Sequence, residues 1–245
     1  MSIVINRLKE KDRQFKYLLS NRTVLYDLEP VGIGTAYIES LTSYITRLSA
    51  EHNVKLSSLL RNVIAPKIEI NYLQNQLLQG SVISKYYLLN GISESSVEFS
   101  STINKLTGRA DIQYLTMNNW TGIFSKNITS HKRRWCPECL NQFKKDSKEI
   151  YEPLIWYISD IKKCDLHNTS FQEECPKCSK VLPLMHSNLI MGYCQYCHAW
   201  LGEGINNKNI ESITSDEEFI INNSTFAYQI RQVSSDITRQ TCNPL

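Results

Sequence analysis

The chain has 245 residues, 42% hydrophobic and 21% charged, with a formal net charge of +3. That composition excludes disorder over most of the length and a whole-surface polycation, while leaving room for a local basic patch. The N-terminal stretch MSIVINRLKEKDRQF is broken by charges and lacks a signal-peptide core, and no run reaches the roughly 18 apolar residues of a membrane span. The expectation is a cytoplasmic protein with no membrane contact, in which paired thiols stay reduced and read as metal ligands before they read as disulfides.

Residues 1–30 form a mixed arm, with Leu18, Leu19, Val24, Leu25 and Leu28 in a short strand or docking segment that ends at Pro30. A turn at Gly32–Ile33–Gly34 breaks the chain; it follows no strand and precedes no phosphate-loop lysine, which excludes nucleotide binding. Thr35 is the expected N-cap of a helix carrying Ile38, Leu41, Ile45 and Leu48 on one face and the Arg47–Glu51 pair on the other. It ends at His52–Asn53, where Asn suits a left-handed cap. Leu56, Leu59, Leu60 and Val63 repeat the helical period until Pro66. Two short amphipathic helices around a tight turn have the outline of a helix-turn-helix.

Residues 68–90 are expected to be helical, and Gly91 to Ser96 a loop. Val97–Leu106 forms a helix facing inward through Val97, Ile103 and Leu106 and closed by Gly108. Asp111 caps a short helix through Ile112, Leu115 and Met117. Gly122 opens a linker that is polar and basic from Ser125 to Arg134. Between Leu140 and Lys163 a charged helix or loop precedes YEPLIWYIS, which has the composition of a strand or a buried turn. An Asn/Ser-rich linker and a helical tail over 217–237 follow Gly204.

The chemistry lies between Cys136 and Cys197. CPEC, CDLH, CPKC and CQYC are four ligand pairs, which use seven of the eight cysteines and His167. Eight ligands make two four-coordinate zinc sites. Cys175, Cys178, Cys194 and Cys197 have fifteen residues between pairs, a zinc-ribbon spacing; Cys136, Cys139, Cys164 and His167 have twenty-four. Sequential pairing is the preferred reading, with a cross-braced arrangement open. His198 could stand in for Cys197; His131 and His186 read as surface residues, and Cys242 as a bystander. Both shells are full of protein ligands, and the deaminase signature H-x-E with P-C-x-x-C is absent. The zincs therefore read as structural, and the chain as no enzyme.

The fold class is mainly α with small zinc-bound β elements. An arm (1–30) leads to a helix-turn-helix domain (31–124), two tandem zinc-finger or zinc-ribbon modules (125–204), and a linker with a short helical tail (205–245). Lys126 and Lys132–Arg133–Arg134 make a basic patch beside the first ligand pair. It reads either as a nucleic-acid or partner contact or as a solvated linker. Lys55 and Arg61 on the second helix read either as DNA contacts or as the outside of a helix pair.

Several stretches, in order, resemble the TniQ family, proteins related to TnsD in heteromeric transposition systems. GIGTAYIESLTSYITRLSAEHNV is similar to the family's N-terminal signature, and LTGRADIQYL to its LTGR-x-D helix. RRWCPECL, IKKCDLHNTSFQEECPKC and GYCQYCHAWL resemble its cysteine core. The resemblance covers roughly residues 25–205 and implies a prokaryotic target-selection adaptor. Such a protein links a CRISPR effector complex and its guide RNA at the target DNA to the AAA+ ATPase TnsC, which recruits the transposase. A homodimer through helical regions is also within the family's range. The alternative is a TnsD-type protein that reads an attachment site directly. The short stretch after the second zinc site leads to the expectation of an adaptor.

Overall fold

Ser40, not Thr35, starts the first helix. In this computed structural model, which describes residues 23–79, 85–121 and 128–203, α1 spans Leu41–Glu51 and the Ser40 hydroxyl accepts the Ser43 N–H. The Thr35 hydroxyl instead donates to the Gly32 carbonyl at 2.7 Å. It does so inside a turn where Gly32 and Gly34 take φ of 72° and 77°. Glu39 then pairs with Pro153 as an antiparallel bridge, so the chain is extended just where helix was expected. The far end follows expectation: His52 caps α1, and Asn53 has φ of 52°. Arg47 does not pair with Glu51. It is buried, and reaches Glu39 at 2.6 Å and Glu149 at 3.2 Å.

The second helix, α2, changes pitch along its length: Leu56–Ser58 is α, Leu59–Ile64 is π and Ala65–Lys67 is 3₁₀. Pro66 does not end it, because Pro66 sits in the first turn of the 3₁₀ segment, where a missing N–H breaks no bond. α3 (Asn71–Gln79), α4 (Tyr87–Asn90) and α5 (Glu94–Thr107) follow. α5 begins inside the expected loop, started by a capping box between Ser93 and Ser96, and ends at Gly108 with φ of 76°. Val97 is 54% exposed; Phe99 takes the inward position with Ile103 and Leu106. Asp111 holds the N-cap position of Ile112–Leu115, as expected, but without a side-chain cap bond. Its carboxylate grips Arg109 through two hydrogen bonds of 2.8 and 2.6 Å, and Ile112–Leu115 and Met117–Trp120 are 3₁₀ turns.

The arm docks as expected at Leu25, which is buried while the Leu106 carbonyl accepts both the Val24 and Leu25 N–H groups at 3.0 and 2.9 Å. Leu18, Leu19, Gly122, Lys126 and the 217–237 helix lie outside the described residues.

One buried cluster joins the helices to the metal-ligand region. Leu41, Ile45 and Leu48 of α1, Phe99 and Ile103 of α5, and Leu154–Ile158 all belong to it. YEPLIWYIS is thus a buried 3₁₀ turn, Leu154–Tyr157, rather than a strand. Backbone bonds fix it under α1: Ser40 N–H to the Glu152 carbonyl at 2.9 Å and Leu154 N–H to the Ile38 carbonyl at 2.8 Å. α6 (Pro137–Lys145) carries the first ligand pair. Among the described residues the fold is mainly helical, with β pairing limited to isolated antiparallel bridges. No helix there is long and apolar enough to cross a membrane.

Candidate metal centres

Three of the four ligand pairs fold into one and the same small unit. In each, the fifth residue counted from the first cysteine returns its N–H to that cysteine's carbonyl: Asn168 to Cys164 (2.8 Å), Ser179 to Cys175 (2.9 Å) and His198 to Cys194 (2.9 Å). Each first cysteine then donates its own N–H one residue further on, to the carbonyls of Thr169, Lys180 and Ala199. A single bridge closes each hairpin: Lys163 with Ser170, Glu174 with Val181, Tyr193 with Trp200. The returning residue takes a left-handed conformation, with φ of 53°, 55° and 57° at Asn168, Ser179 and His198. Asn and His are among the residues most often found in that region, whereas Ser carries strain there. This is the role of His198; it is exposed and does not replace Cys197. The fourth pair differs. Cys136 is the N-cap of α6, Pro137 opens its first turn, and Cys139 follows on that turn.

The pairs meet sequentially. Cys139 Sγ lies 3.5 Å from Cys164 Sγ and 3.2 Å from His167 Nδ1, while Cys136 and Cys164 approach the same nitrogen at 3.6 and 3.7 Å. In the second group Cys175 and Cys197 are 3.6 Å apart, and Cys178 and Cys194 3.8 Å. All four donor atoms of each group lie within 4.8 Å of one another. Metal–sulfur bonds of about 2.3 Å in a tetrahedron set sulfurs about 3.8 Å apart, far from the ~2.05 Å of a disulfide. Donor set and spacing therefore fit a tetrahedral thiolate-binding ion, and both groups could hold zinc. His167 Nε2 lies 3.2 Å from Gln142 Oε1 on α6. A hydrogen bond there leaves Nδ1 facing the thiols and fixes the ring.

The protein groups by themselves share protons unevenly. Hydrogen bonds from Cys139 and Cys164 pull Cys136 down to about 3, and the contact with Cys136 holds Cys139 well above its ordinary value. Burial pushes Cys175 up to about 12, while the Ala199 backbone N–H draws Cys197 down to about 7. A bound dication would let the whole set deprotonate together.

The two arginines of the expected basic patch are not on the surface. Arg133 is completely buried. Its Nε binds Glu152 at 2.5 Å, and one terminal nitrogen donates to the Tyr193 carbonyl at 2.9 Å. Glu152 in turn accepts the Tyr157 hydroxyl, and its N–H donates to Ser43 Oγ. One arginine thus ties the second cluster to the core turn and to α1. Arg134 is buried as well. It donates to the Ile158 and Ile161 carbonyls and lies over the Phe171 ring. Neither guanidinium can reach a phosphate. Lys132 is exposed but paired with Glu173 at 3.0 Å. The misreading has a cause: the carboxylate and carbonyls that bury these arginines come from 19 to 60 residues away. Glu152, buried and bound to an arginine, carried no sequence signal, and Glu39, likewise buried and bound, stood in the IESL stretch with no role assigned. Lys55 and Arg61 are exposed, as expected.

The signature stretches are structural in the same way. Ser40 caps α1, Ser43 donates to Glu39, and Glu39 binds Arg47. Gly108 ends α5 and Arg109 joins Asp111 to Asp27. A family model described as TniQ matches residues 30–171, from the turn before α1 through the first cluster. Comparison with curated proteins found no match.

Proposed function

The chain belongs to the TniQ family, and from that membership we propose that it is a non-catalytic adaptor joining a CRISPR effector, with its guide RNA, at the target DNA to the AAA+ ATPase TnsC. A general part in target selection for transposition goes with the family; the particular partners are our reading. The observation that carries it is the family match over α1 to the first cluster, together with two clusters whose four donors are all protein side chains. Zinc held by Cys136, Cys139, Cys164 and His167, and by Cys175, Cys178, Cys194 and Cys197, would supply cross-links. A shell complete without water has no position for a substrate. Arg133 and Glu152 then make the zinc region and the helices one rigid piece, which suits a protein that sets the distance between two larger assemblies.

Gel filtration of the purified, zinc-loaded chain with TnsC and the effector complex of its own operon tests this. Co-elution with both, dependent on ATP for TnsC, is the expected result, and the eluted mass also reads whether two copies take part. Association with neither would remove the proposal. Tight, guide-independent binding to one DNA site would replace it with the attachment-site reading.

A further inference from the structure

α5 borders a groove that the described residues leave uncovered. Ile70, Ile92 and Val97 line it with apolar surface, Glu94 and Glu98 line it with carboxylates, and its volume is about 360 Å³. Val97 stays 54% exposed there. Aliphatic surface held open to water in this way gains free energy when another segment covers it.

The charge of the groove is one-sided. Glu94 has no ion pair among the described residues, and the Glu98 carboxylate accepts the Glu69 N–H. Lys105, further along α5, is matched by Glu69 at 3.3 Å. No described Lys or Arg lines the groove, whereas three other clefts include Lys85, Arg61, and Arg47 with Lys148.

One segment of the same chain has the opposite character. Residues 1–22 contain six Lys and Arg against two Asp and Glu, with Val4, Leu8, Phe15 and Leu19 spread among them. Residues 204–245 contain three against five, so their charge does not suit an acidic groove. The arm also arrives on the right helix. The Thr23 methyl lies beside Gly108, 2.7 Å from where a Cβ would stand, and the Leu106 carbonyl accepts the Val24 N–H at 3.0 Å. From Gly108 back to Val97 is roughly 16 Å along α5, a span that about five extended residues cover.

We propose that residues 1–22 return along α5 and cover this groove, their cations on Glu94 and Glu98 and their apolar side chains on Ile70, Ile92 and Val97. The occupant is selected by charge complementarity and by the point at which the arm meets α5. The contact does not depend on the adaptor reading. It makes the arm part of the folded protein and closes an apolar face of α5 to other chains.

Photo-cross-linking of the full, zinc-loaded chain tests it, with benzoylphenylalanine in place of Val97. Mixing heavy-isotope and unlabelled chains before irradiation tells contacts within one chain from contacts between two. The expected product joins position 97 to a peptide from residues 1–22 of the same chain. Tryptic cleavage at the Lys and Arg of the arm gives a second reading, because its rate follows the open fraction when reclosing is fast. Glu94→Lys should raise that rate up to about fivefold, the worth of one exposed ion pair. Val97→Asp should raise it roughly tenfold by removing apolar contact. Glu138→Lys, exposed on α6, should leave it unchanged. Glu94 and Val97 are themselves exposed, so both variants keep the described fold, which helical circular dichroism checks. Cross-links from position 97 to residues 204–245, cross-links only between chains, no cross-link at all, or arm cleavage unchanged in both variants would each overturn the assignment.

Discussion

The two metal clusters offer the same number of donors and are embedded differently. In the first, Cys136, Cys139 and Cys164 are buried, one pair sits on α6, and the chain between the pairs delivers Leu154–Ile158 to the core under α1. In the second, both pairs sit on the repeated hairpin, and Cys178 and Cys197 lie half-exposed at the rim. It is tied by Arg133 to the Tyr193 and Leu182 carbonyls, by the Trp135 indole to the Leu201 carbonyl, by the Trp200 indole to Asn141 and by Asn141 to the Gly202 carbonyl, and Cys175, Leu182, Cys194 and Leu201 join the buried core. A ligand count says nothing about how much of a fold a metal holds. What lies between the ligands decides it.

The largest expected effect follows from that difference. Replacing Cys136 and Cys139 together by Ser should abolish cooperative folding of the whole described structure, since structural zinc supplies roughly 10–16 kcal/mol of apparent binding energy. Replacing Cys175 and Cys178 should release one equivalent of zinc and leave the helical circular dichroism and the near-ultraviolet signal of Trp156 in place. A graded chelator should likewise strip the second ion first. Identical losses from the two double variants, read by metal analysis and dichroism, would break the comparison.

The tie between the regions comes next. Glu152→Ala leaves the Arg133 guanidinium buried without its carboxylate and should cost about 3–5 kcal/mol, read from the urea midpoint. Arg133→Met together with Glu152→Gln removes the charges at similar volume and should cost far less. If both variants cost the same, packing rather than charge holds the second cluster to the core.

A smaller effect is confined to the first region. Burial pushes the Glu39 carboxyl up to about 7 from an ordinary 4.5, against the pull of Arg47. The native state therefore keeps a proton that the unfolded chain has already released. Stability from this group is full below about pH 4.5 and is lost as pH rises through about 7. Glu39→Gln should flatten that part of the urea-midpoint curve without altering zinc retention at the second cluster.

The smallest change sharpens the second region. Asn168 and His198 suit the left-handed turns of their hairpins, while Ser179 does not. Ser179→Asn should relieve about 1 kcal/mol or less of strain and strengthen zinc retention at Cys175 and Cys178 in chelator competition, with no effect on the first cluster.

How far the sequence foretold this depends on how local each cause is. The eight ligands were legible because C-x-x-C and C-x-x-H spacing is itself the binding geometry. Asn53 and Gly108 were legible as helix ends for the same local reason. The start of α1 was not, since Ile38 fits the helical period and only the distant Pro153 shows that the chain is extended beside it. Arg133 and Arg134 read as surface cations because their partners are remote in sequence. The pitch change in α2 left only a faint mark, a hydrophobic Val63–Ile64–Ala65 run that one α-helical face cannot hold. Both kinds of error come from tertiary contacts overriding local pattern.

The long insert between the first two pairs also bears on how such a protein can change over generations. A metal that closes a loop of twenty-four residues instead of fifteen pays only about 0.4 kcal/mol more in chain entropy, because closure cost grows with the logarithm of length. α6 at one end and the Cys164 hairpin at the other keep their own hydrogen bonds local, so neither end of the insert feels its size. Residues added there are nearly free of thermodynamic penalty until they find something to bury. In this chain they found α1, and a loop that the ion merely closed became the floor on which a helix rests.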